Sequence, residues 1–228
     1  MLRWPGGTPG DLAGRRPALP GRRPAKSLYT SVTVTRVQDY PMPTLGWHSR
    51  GYLPHLDAPG LLQFIAFHLA DSLPRDVLAR IYAETRPEER ERLQRVERLL
   101  DAGHGACWLR RPDIAQVVDE ALRYFDGARY RLLAWAVMPN HVHVLIETFE
   151  GHPLPGVIQS WKSFTAKRAN ALLGRTGVFW ERDYFDRYIR DDAHLAAVVR
   201  YIEHNPVKAG LANRPEDWPW GSAARRLG

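Results

Sequence analysis

Two histidines separated by one residue are the strongest chemical signal in this sequence. The stretch from Met138 to Glu147 reads MPNHVHVLIE, and a tight Pro139-Asn140 turn precedes the first histidine. Side chains alternate between the two faces of a strand, so His141 and His143 point the same way and the apolar residues between and after them point into the core. Two imidazoles so placed can chelate one metal ion, with a third ligand from elsewhere. The alternative is a solvated strand face that happens to carry two polar residues.

A tyrosine and an asparagine four residues apart form the second signal. The stretch from Val198 to Leu211 reads VVRYIEHNPVKAGL, and positions four apart lie on one face of a helix. The phenol of Tyr201 can act as a nucleophile at phosphorus, and the amide oxygen of Asn205 is a hard ligand suited to Mg²⁺ or Mn²⁺. The alternative is an amphipathic tyrosine at the core edge and an asparagine at a helix end.

Several other residues compete for these roles. Tyr184 and Tyr188 are rival nucleophiles, which we interpret as sheet-packing residues on a strand. His204 is a rival metal ligand, although helical spacing turns it away from the proposed amide ligand. The lone pair of His104 and Cys107 falls far short of a zinc signature.

The elements that must position these residues follow from apolar periodicity. We predict strands at 61–69, 130–138, 141–148 and 178–189, and helices at 113–127, 155–173 and 191–204, with Pro206 ending the last helix. The order is strand, helix, strand, strand, helix, strand, and then an extra C-terminal helix that carries the tyrosine. This split β-α-β pattern predicts an α+β, ferredoxin-like antiparallel sheet with helices on one face.

Two segments lie outside this pattern. Residues 74–103 are charged and helix-periodic, which predicts a helical hairpin inserted into a single domain of residues 44–228. Residues 1–43 are rich in Gly, Pro and Arg, and we expect a disordered basic tail. The alternatives for the tail are an arm that grips phosphates, or a translation start at Met42.

Charge and composition limit the partners that can be expected. The net charge is +7, but residues 1–43 hold seven Lys and Arg against two Asp, which leaves only +2 to the remainder. Bulk charge therefore gives weak support for a nucleic-acid partner. The single cysteine excludes an internal disulfide framework. No apolar run approaches the roughly 18 residues of a membrane helix, so we expect a cytoplasmic protein that contacts no membrane and needs no small-molecule cofactor.

Taken together, the two chemical stretches resemble the REP-associated tyrosine transposases of the HUH group (histidine, hydrophobic residue, histidine), which relate to small single-tyrosine insertion-sequence transposases. MPNHVHVL is followed about 60 residues later by YIEHNPVKAGL. Further matches are GYLPH at 51–55, LADSLP at 69–74, FWERDYFD at 179–186 and PEDWPWGS at 215–222. The resemblance covers roughly residues 46–222 and leaves out the tail.

The resemblance implies a role for each matching residue. Tyr201 matches the nucleophile, His141 and His143 match the paired metal ligands, and Asn205 matches a third ligand for Mg²⁺ or Mn²⁺. Relatives cleave single-stranded DNA next to a palindromic hairpin of the REP type and rejoin it, through a 5′-phosphotyrosine and a free 3′-OH. Insertion-sequence relatives act as dimers and the REP-associated type is expected to act as monomers. The alternatives are a domesticated nickase of chromosomal repeats, a non-catalytic sequence-specific DNA-binding protein, and a metal hydrolase of small phosphoesters.

Basic residues on two predicted elements are candidates for DNA contact. The helix at 155–173 interleaves cations with hydroxyls, and the strand at 178–189 carries arginines among aromatic residues, which suits phosphates and stacked bases. The alternative is a solvated charged face. The candidates are Lys162, Ser163, Thr165, Lys167, Arg168, Arg182, Arg187 and Arg190.

Overall fold

The computed structural model describes residues 34, 46–49, 54–57, 59–73, 95–96 and 98–226. Its strands are β1 (Gly46–Ser49), β2 (Pro54–Asp57), β3 (Leu62–His68), β4 (Tyr130–Val137), β5 (His141–Thr148) and β6 (Phe185–Tyr188). Its helices are α1 (Pro112–Tyr124), α2 (Leu154–Leu173), α3 (Asp192–Lys208) and α4 (Ser222–Arg226), with short 3₁₀ turns at Trp108–Arg110 and Pro215–Asp217. β1 and β2 pair with each other in a small antiparallel sheet.

The main sheet has four antiparallel strands in the order β4-β5-β3-β6. Together with α1 after β3 and α2 after β5, this gives the ferredoxin-like arrangement that the sequence pattern predicted, and the prediction is confirmed. The register places His68 opposite His141 and Ala66 opposite His143 on the two central strands. The proposed metal ligands therefore lie on the best-supported part of the sheet.

One face of the sheet packs against α1 and α2. On β3 and β5 the alternating residues point toward these helices, and α1 presents an apolar stripe at helical spacing in return. Tyr130 and Trp161 add large aromatic surface, with their ring centroids 5.1 Å apart. The central members of this core are Ile65, Phe67, Ile114, Val118, Leu122, Val142, Val144, Ile146, Val157 and Ile158.

The opposite face is covered by α3, which contacts β4 and β5. On β4 this face carries the small buried residues Ala134 and Ala136, and Ala136 pairs with His143 on β5. Small side chains let a helix approach a sheet closely. The extra helix therefore lies directly over the two histidines, on the other side of the sheet from α1 and α2.

The last helix is longer than the sequence pattern predicted. We expected Pro206 to end it near His204, but α3 runs to Lys208 with Pro206 in its interior. That prediction is wrong because a proline in the final turn removes little of the hydrogen-bond ladder, and the N–H of Ala209 still bonds to the carbonyl of Asn205 at 2.9 Å. The extension adds one more turn beyond Asn205.

The strand predicted at 178–189 is shorter than expected, since β6 covers only Phe185–Tyr188. Upstream of β6, the chain meets the end of β3 in an isolated bridge between Trp180 and Leu69. Between these two points the carbonyls of residues 181–183 accept hydrogen bonds from the Lys162 ammonium. Because these carbonyls bond to a side chain and not to a neighbouring strand, the strand is interrupted here.

The inserted segment is described only at its end. Residues 95–96 and 98–101 are helical, while the rest of the predicted hairpin lies outside the described residues, so the helical insertion stays a prediction. The prediction of a tail at 1–43 also lies outside them, apart from Val34. Within the described part of the chain, no helix is both long and apolar enough to cross a membrane.

Removal of the Tyr130 hydroxyl should destabilise the fold. The hydroxyl is fully buried, donates to the carbonyl of Leu122 at 2.8 Å and accepts from Nε1 of Trp161 at 2.9 Å. Tyr130→Phe leaves both partners unsatisfied, and we expect a loss of about 1–3 kcal/mol in the free energy of unfolding, measured with urea. Tyr124→Phe, at a position 58% exposed, is the matched control and should change it by less than about 0.5 kcal/mol. Equal effects would contradict this account.

Candidate active site

His141 and His143 extend from the same face of β5, as strand alternation predicted. Their Nε2 atoms lie 3.0 Å apart, and their side chains are 1% and 0% exposed. The face is therefore not solvated, because α3 covers it. Two ring nitrogens aimed at one point in a buried site need either a shared proton or a cation between them.

Burial keeps both imidazoles neutral. Burial and the positive charge of Lys208 lower the pKa of His143 to about 3. Burial, followed by the neighbouring His143, lowers the pKa of His141 well below its ordinary value. At neutral pH both rings are uncharged and have a lone pair available, which is the form that binds metal ions.

α3 brings Tyr201 and Asn205 to the same point. The Asn205 amide nitrogen is 3.1 Å from the Tyr201 hydroxyl oxygen and 3.3 Å from Nε2 of His143. The Tyr201 ring packs edge-on against the His143 ring, with centroids 5.4 Å apart. Asn205 is 1% exposed and Tyr201 is half-buried. The structure thus assembles the two residue pairs that the sequence suggested.

The donor set at this point fits a divalent cation. The Oδ1 atom of Asn205 and the Nδ1 atom of His143 are buried and have no hydrogen-bond partner among the described residues. The two ends of an amide are distinguished only by their hydrogen bonds, and rotating the Asn205 amide by half a turn would aim its oxygen at His143. The amide oxygen is a ligand of the kind that Mn²⁺ and Mg²⁺ take, and neutral imidazoles bind divalent transition metals.

Asn140 fixes the orientation of His141, a role that sequence reasoning missed. Its Oδ1 lies 2.8 Å from Nδ1 of His141, so His141 donates there and its Nε2 keeps the free lone pair. The other end of the amide donates to the carbonyls of Leu100 and His104, each at 3.1 Å. The available signal was only its place beside His141, since its partners are about 40 residues away.

Phe64 forms the floor of the site and was also missed. Its ring stacks on His143 with centroids 5.5 Å apart and meets the ring of Tyr201 edge-on at 6.0 Å. It also contacts Phe185 of β6 at 6.2 Å. In the sequence Phe64 is one apolar residue of a buried strand, and nothing there distinguishes it from its neighbours.

The C-terminal segment holds α3 in place over the sheet. The Ser222 hydroxyl donates to Oε1 of Glu203 at 2.7 Å, and Arg226 donates to Oε2 at 3.0 Å. The same segment is attached to the edge of β4, where Gly221 bridges Ala136. Glu203 lies between Tyr201 and Asn205 in the sequence. These bonds therefore help to fix the distance of Tyr201 and Asn205 from the histidines.

The rival residues are engaged elsewhere. The ring of Tyr184 lies 5.6 Å from the Lys162 ammonium, and Tyr188 pairs with Gln63 in the sheet. His204 is exposed, and its Nδ1 bonds to the carbonyl of Arg200. Among the described tyrosines, Tyr201 is the one whose ring packs against a ligand histidine.

Two of the eight residues predicted to contact DNA are corrected by the structure. The Lys162 ammonium points inward to three carbonyls of residues 181–183, and burial lowers its pKa to about 8. Thr165 is 1% exposed, donates to the carbonyl of Trp161 and accepts from Nε1 of Trp180. Neither side chain is available to a phosphate, because its polar group is already used inside the protein.

The other six remain predictions, and they lie in different places. Ser163, Lys167 and Arg168 are exposed on α2, across the sheet from α3. Arg182 and Arg190 are exposed on either side of β6. Arg187 pairs with Phe64 in the sheet, so of these six it is the one on a strand that shares the face of His143 and Tyr201.

Comparison with known proteins shows what this chain is similar to. A family model described as "Transposase IS200 like" matches residues 110–205, a segment that contains His141, His143, Tyr201 and Asn205. The chain is similar to the "REP-associated tyrosine transposase" of Escherichia coli (strain K12), with 27% identity over 96 residues, 42% of this chain and 56% of that protein. A Haemophilus influenzae protein that carries the same name provisionally is 28% identical over 106 residues, 42% of this chain and 60% of its own length.

The alignments therefore span somewhat more than half the length of these two relatives. The resemblance to the REP-associated tyrosine transposases that the sequence motifs indicated is confirmed. Among solved structures, a REP-associated tyrosine transposase bound to a REP hairpin overlays with a TM-score of 0.47 and 17% identity, covering 78% of this chain and 82% of its own. A transposase-like protein of Deinococcus radiodurans overlays at 0.33 with 16% identity, covering 69% and 96%. Both overlays are weak, so the likeness to the REP-associated tyrosine transposases depends on the sequence matches.

The buried histidines should make the metal-free protein sensitive to mild acid. Their pKa is lowered in the folded state, so their contribution is complete above about pH 6.5 and is lost as the pH falls toward 3. With chelator present, the free energy of unfolding should fall between about pH 6 and 4 by up to about 1.4 kcal/mol per pH unit for each such histidine, measured with urea. His143→Gln should flatten this slope, whereas His204→Gln at an exposed position should not. Equal slopes in all three proteins would contradict the burial argument.

Proposed function

We propose that this protein is a metal-dependent single-tyrosine transposase that cleaves and rejoins single-stranded DNA next to palindromic hairpins of the REP type. The observation that supports this most is the direct contact between a nucleophile and a ligand set. Tyr201, Asn205 and His143 are linked by distances of 3.1 Å and 3.3 Å at one buried point. A tyrosine with only a packing role has no need of neutral imidazoles and a buried amide beside its hydroxyl.

The reaction needs few groups from the protein. The Tyr201 oxygen attacks the phosphorus of a phosphodiester, a P–O bond forms to the tyrosine, and the bond to the 3′ oxygen breaks. The tyrosine loses its proton and the departing 3′ oxygen gains one, so the products are a 5′-phosphotyrosyl protein and a free 3′-OH. A divalent ion held by His141, His143 and Asn205 would neutralise charge on the phosphate. The energy of the broken bond is kept in the covalent link, so the reverse reaction can join another end.

The choice of DNA as substrate is supported by the family and by the surroundings of Tyr201. Both curated relatives have names that associate them with REP elements. On the strand next to β3, Phe185 and Arg187 occupy the sheet face that carries His143, and the Phe185 ring contacts the buried Phe64 ring beside Tyr201. Aromatic rings beside a cation are the surface on which unpaired bases and phosphates bind.

Covalent capture is the direct test of the chemistry. Purified protein is mixed with labelled single-stranded hairpin DNA and Mg²⁺ or Mn²⁺, and separated on a denaturing gel. Wild-type protein should give a shifted band, Tyr201→Phe should give none because it lacks the attacking oxygen, and chelator should abolish the band. Tyr188→Phe is the matched control and should still capture DNA.

Other outcomes identify the alternatives. Capture without transfer to a second end would indicate a nickase, and binding without capture would leave a DNA-binding protein. Capture that survives in Tyr201→Phe would move the nucleophile to another residue. Cleavage of small phosphoesters that survives in the same variant would indicate a metal hydrolase.

Metal binding can be measured without any substrate. Saturating Mn²⁺, at about 100 times its dissociation constant, should raise the free energy of unfolding by about 2.7 kcal/mol. Asn205→Ala removes the amide ligand and should weaken Mn²⁺ binding by at least about 10-fold, since loss of a group that only supports a ligand already costs about that much. His204→Ala, one residue earlier and exposed, is the control and should bind as the wild type does. No stabilisation by either ion would contradict the metal site.

A further inference from the structure

Lys208 lies on the same stripe of α3 as the two functional residues of that helix. Tyr201, Asn205 and Lys208 occupy positions i, i+4 and i+7, which follow one another along a single helix face. The alignment exists only because α3 continues through Pro206. Lys208 therefore stands at the end of the site, one turn beyond the proposed amide ligand.

The Lys208 ammonium is held by a residue of the inserted segment. Its Nζ lies 2.8 Å from Oδ2 of Asp101, and the two side chains are 54% and 16% exposed. The helical residues around Asp101 are themselves attached to the site, because the Asn140 amide donates to the carbonyls of Leu100 and His104. The carboxylate is thus placed by the same asparagine that orients His141.

The position of Lys208 is unfavourable for a cation unless an anion is nearby. It stands three residues beyond Asn205 on the same helix face, so its charge lies near the point where a metal ion would bind. Two cations at such a place repel each other unless a negative group lies between them. Asp101 supplies one such group, and a DNA phosphate would be another.

The ion pair with Asp101 is a poor structural link. Partly exposed pairs of this kind contribute about 0–1 kcal/mol to stability, and the other oxygen of Asp101 is buried without a hydrogen-bond partner among the described residues. A lysine required only to attach the insertion would gain little here. An ammonium that is half exposed, with three rotatable N–H donors, can exchange one anionic partner for another.

We propose that Lys208 is a further active-site residue that binds the phosphate at which Tyr201 reacts, and that Asp101 holds its ammonium while no DNA is bound. The end of the inserted segment, at Asp101, is then part of the active site. This inference rests on the proposed function, since it assigns Lys208 to the phosphate of that reaction. In the absence of the reaction it still predicts one specific contact to the backbone of single-stranded DNA.

Removing each partner of the ion pair separates a binding role from a structural one. Binding of a fluorescent single-stranded hairpin oligonucleotide is followed by anisotropy over a range of salt, in protein that carries Tyr201→Phe so that no reaction occurs. Lys208→Gln should weaken binding by roughly 10-fold and reduce the slope of log affinity against log salt by about 0.7, the value for one phosphate contact on a single strand. Asp101→Asn breaks the same ion pair but leaves the ammonium, so affinity should be unchanged or higher.

Arg200→Gln is the matched control. It removes one exposed positive charge from the same helix, outside the stripe of Tyr201 and Lys208, and should change the salt slope by less than a third as much. Thermal unfolding of every variant checks that the fold is intact. The proposal is overturned if Lys208→Gln and Asp101→Asn weaken binding alike, or if Lys208→Gln behaves as Arg200→Gln does.

Covalent capture by protein with Tyr201 intact distinguishes failure of this inference from failure of the proposed function. Opposite effects of the Lys208 and Asp101 variants on binding, without capture by the wild type, would support the phosphate contact and sink the strand-transfer reaction. Capture by the wild type, together with equal losses of DNA affinity in the Lys208 and Asp101 variants, would support the strand-transfer reaction and contradict the phosphate contact. In the reaction itself Lys208→Gln should slow capture, and Asp101→Asn should not.

Discussion

The burial of two neutral imidazoles between the sheet and α3 is the interaction on which the rest of the structure depends. A buried polar atom without a partner costs about 1–3 kcal/mol. Asn140 satisfies one nitrogen of His141, but the two Nε2 atoms face each other at 3.0 Å, and Nδ1 of His143 has no partner among the described residues. This arrangement is maintained by packing elsewhere, and it leaves the two Nε2 atoms beside Tyr201, where we propose that a cation binds.

The two faces of the sheet have different roles: one forms the apolar core and the other carries the candidate active site. One face packs against α1 and α2 in an apolar core with aromatic side chains and internal hydrogen bonds, such as that from Trp161 to Tyr130. The other face carries the histidines, Phe64 and the small residues that admit α3. Strand alternation lets β5 contribute to both, with valines on one side and ligands on the other. The stability gained by burying the apolar face can offset the cost of burying polar atoms on the face that carries the histidines.

The positions of Tyr201 and Asn205 depend on segments far from both in the sequence. Glu203 connects α3 to the C-terminal segment, and that segment is attached to the edge of β4. On the other side, Asn140 and Lys208 connect the site to the end of the inserted helical segment. Tyr201, Asn205 and the two histidines are thus held at fixed distances from two sides, as the proposed phosphoryl transfer would require.

Sequence reasoning succeeded where a structure is decided locally. The bounds of β5 agree with the prediction because a turn at Pro139-Asn140 and alternating apolar residues define them. It failed at Pro206, because a proline in a final turn costs too little to end a helix that is packed against a sheet. It failed also at Lys162 and Thr165, since helical spacing gives the direction of a side chain but not what lies there.

The sequence by itself determined the kinds of residue available for chemistry and the order of strands and helices along the chain. It also determined that the two histidines share one strand face and that Tyr201 and Asn205 share one helix face. These depend on repeats of two and 3.6 residues that each element carries within itself. Only the tertiary structure decided that both pairs meet at one buried point, that Asn140 orients His141, and that Asp101 holds Lys208. Asn140 is held by Leu100, 40 positions away, His143 and Asn205 are 62 positions apart, and Asp101 and Lys208 are 107 apart. Their distances are set by how helices pack on the sheet, which no local repeat encodes.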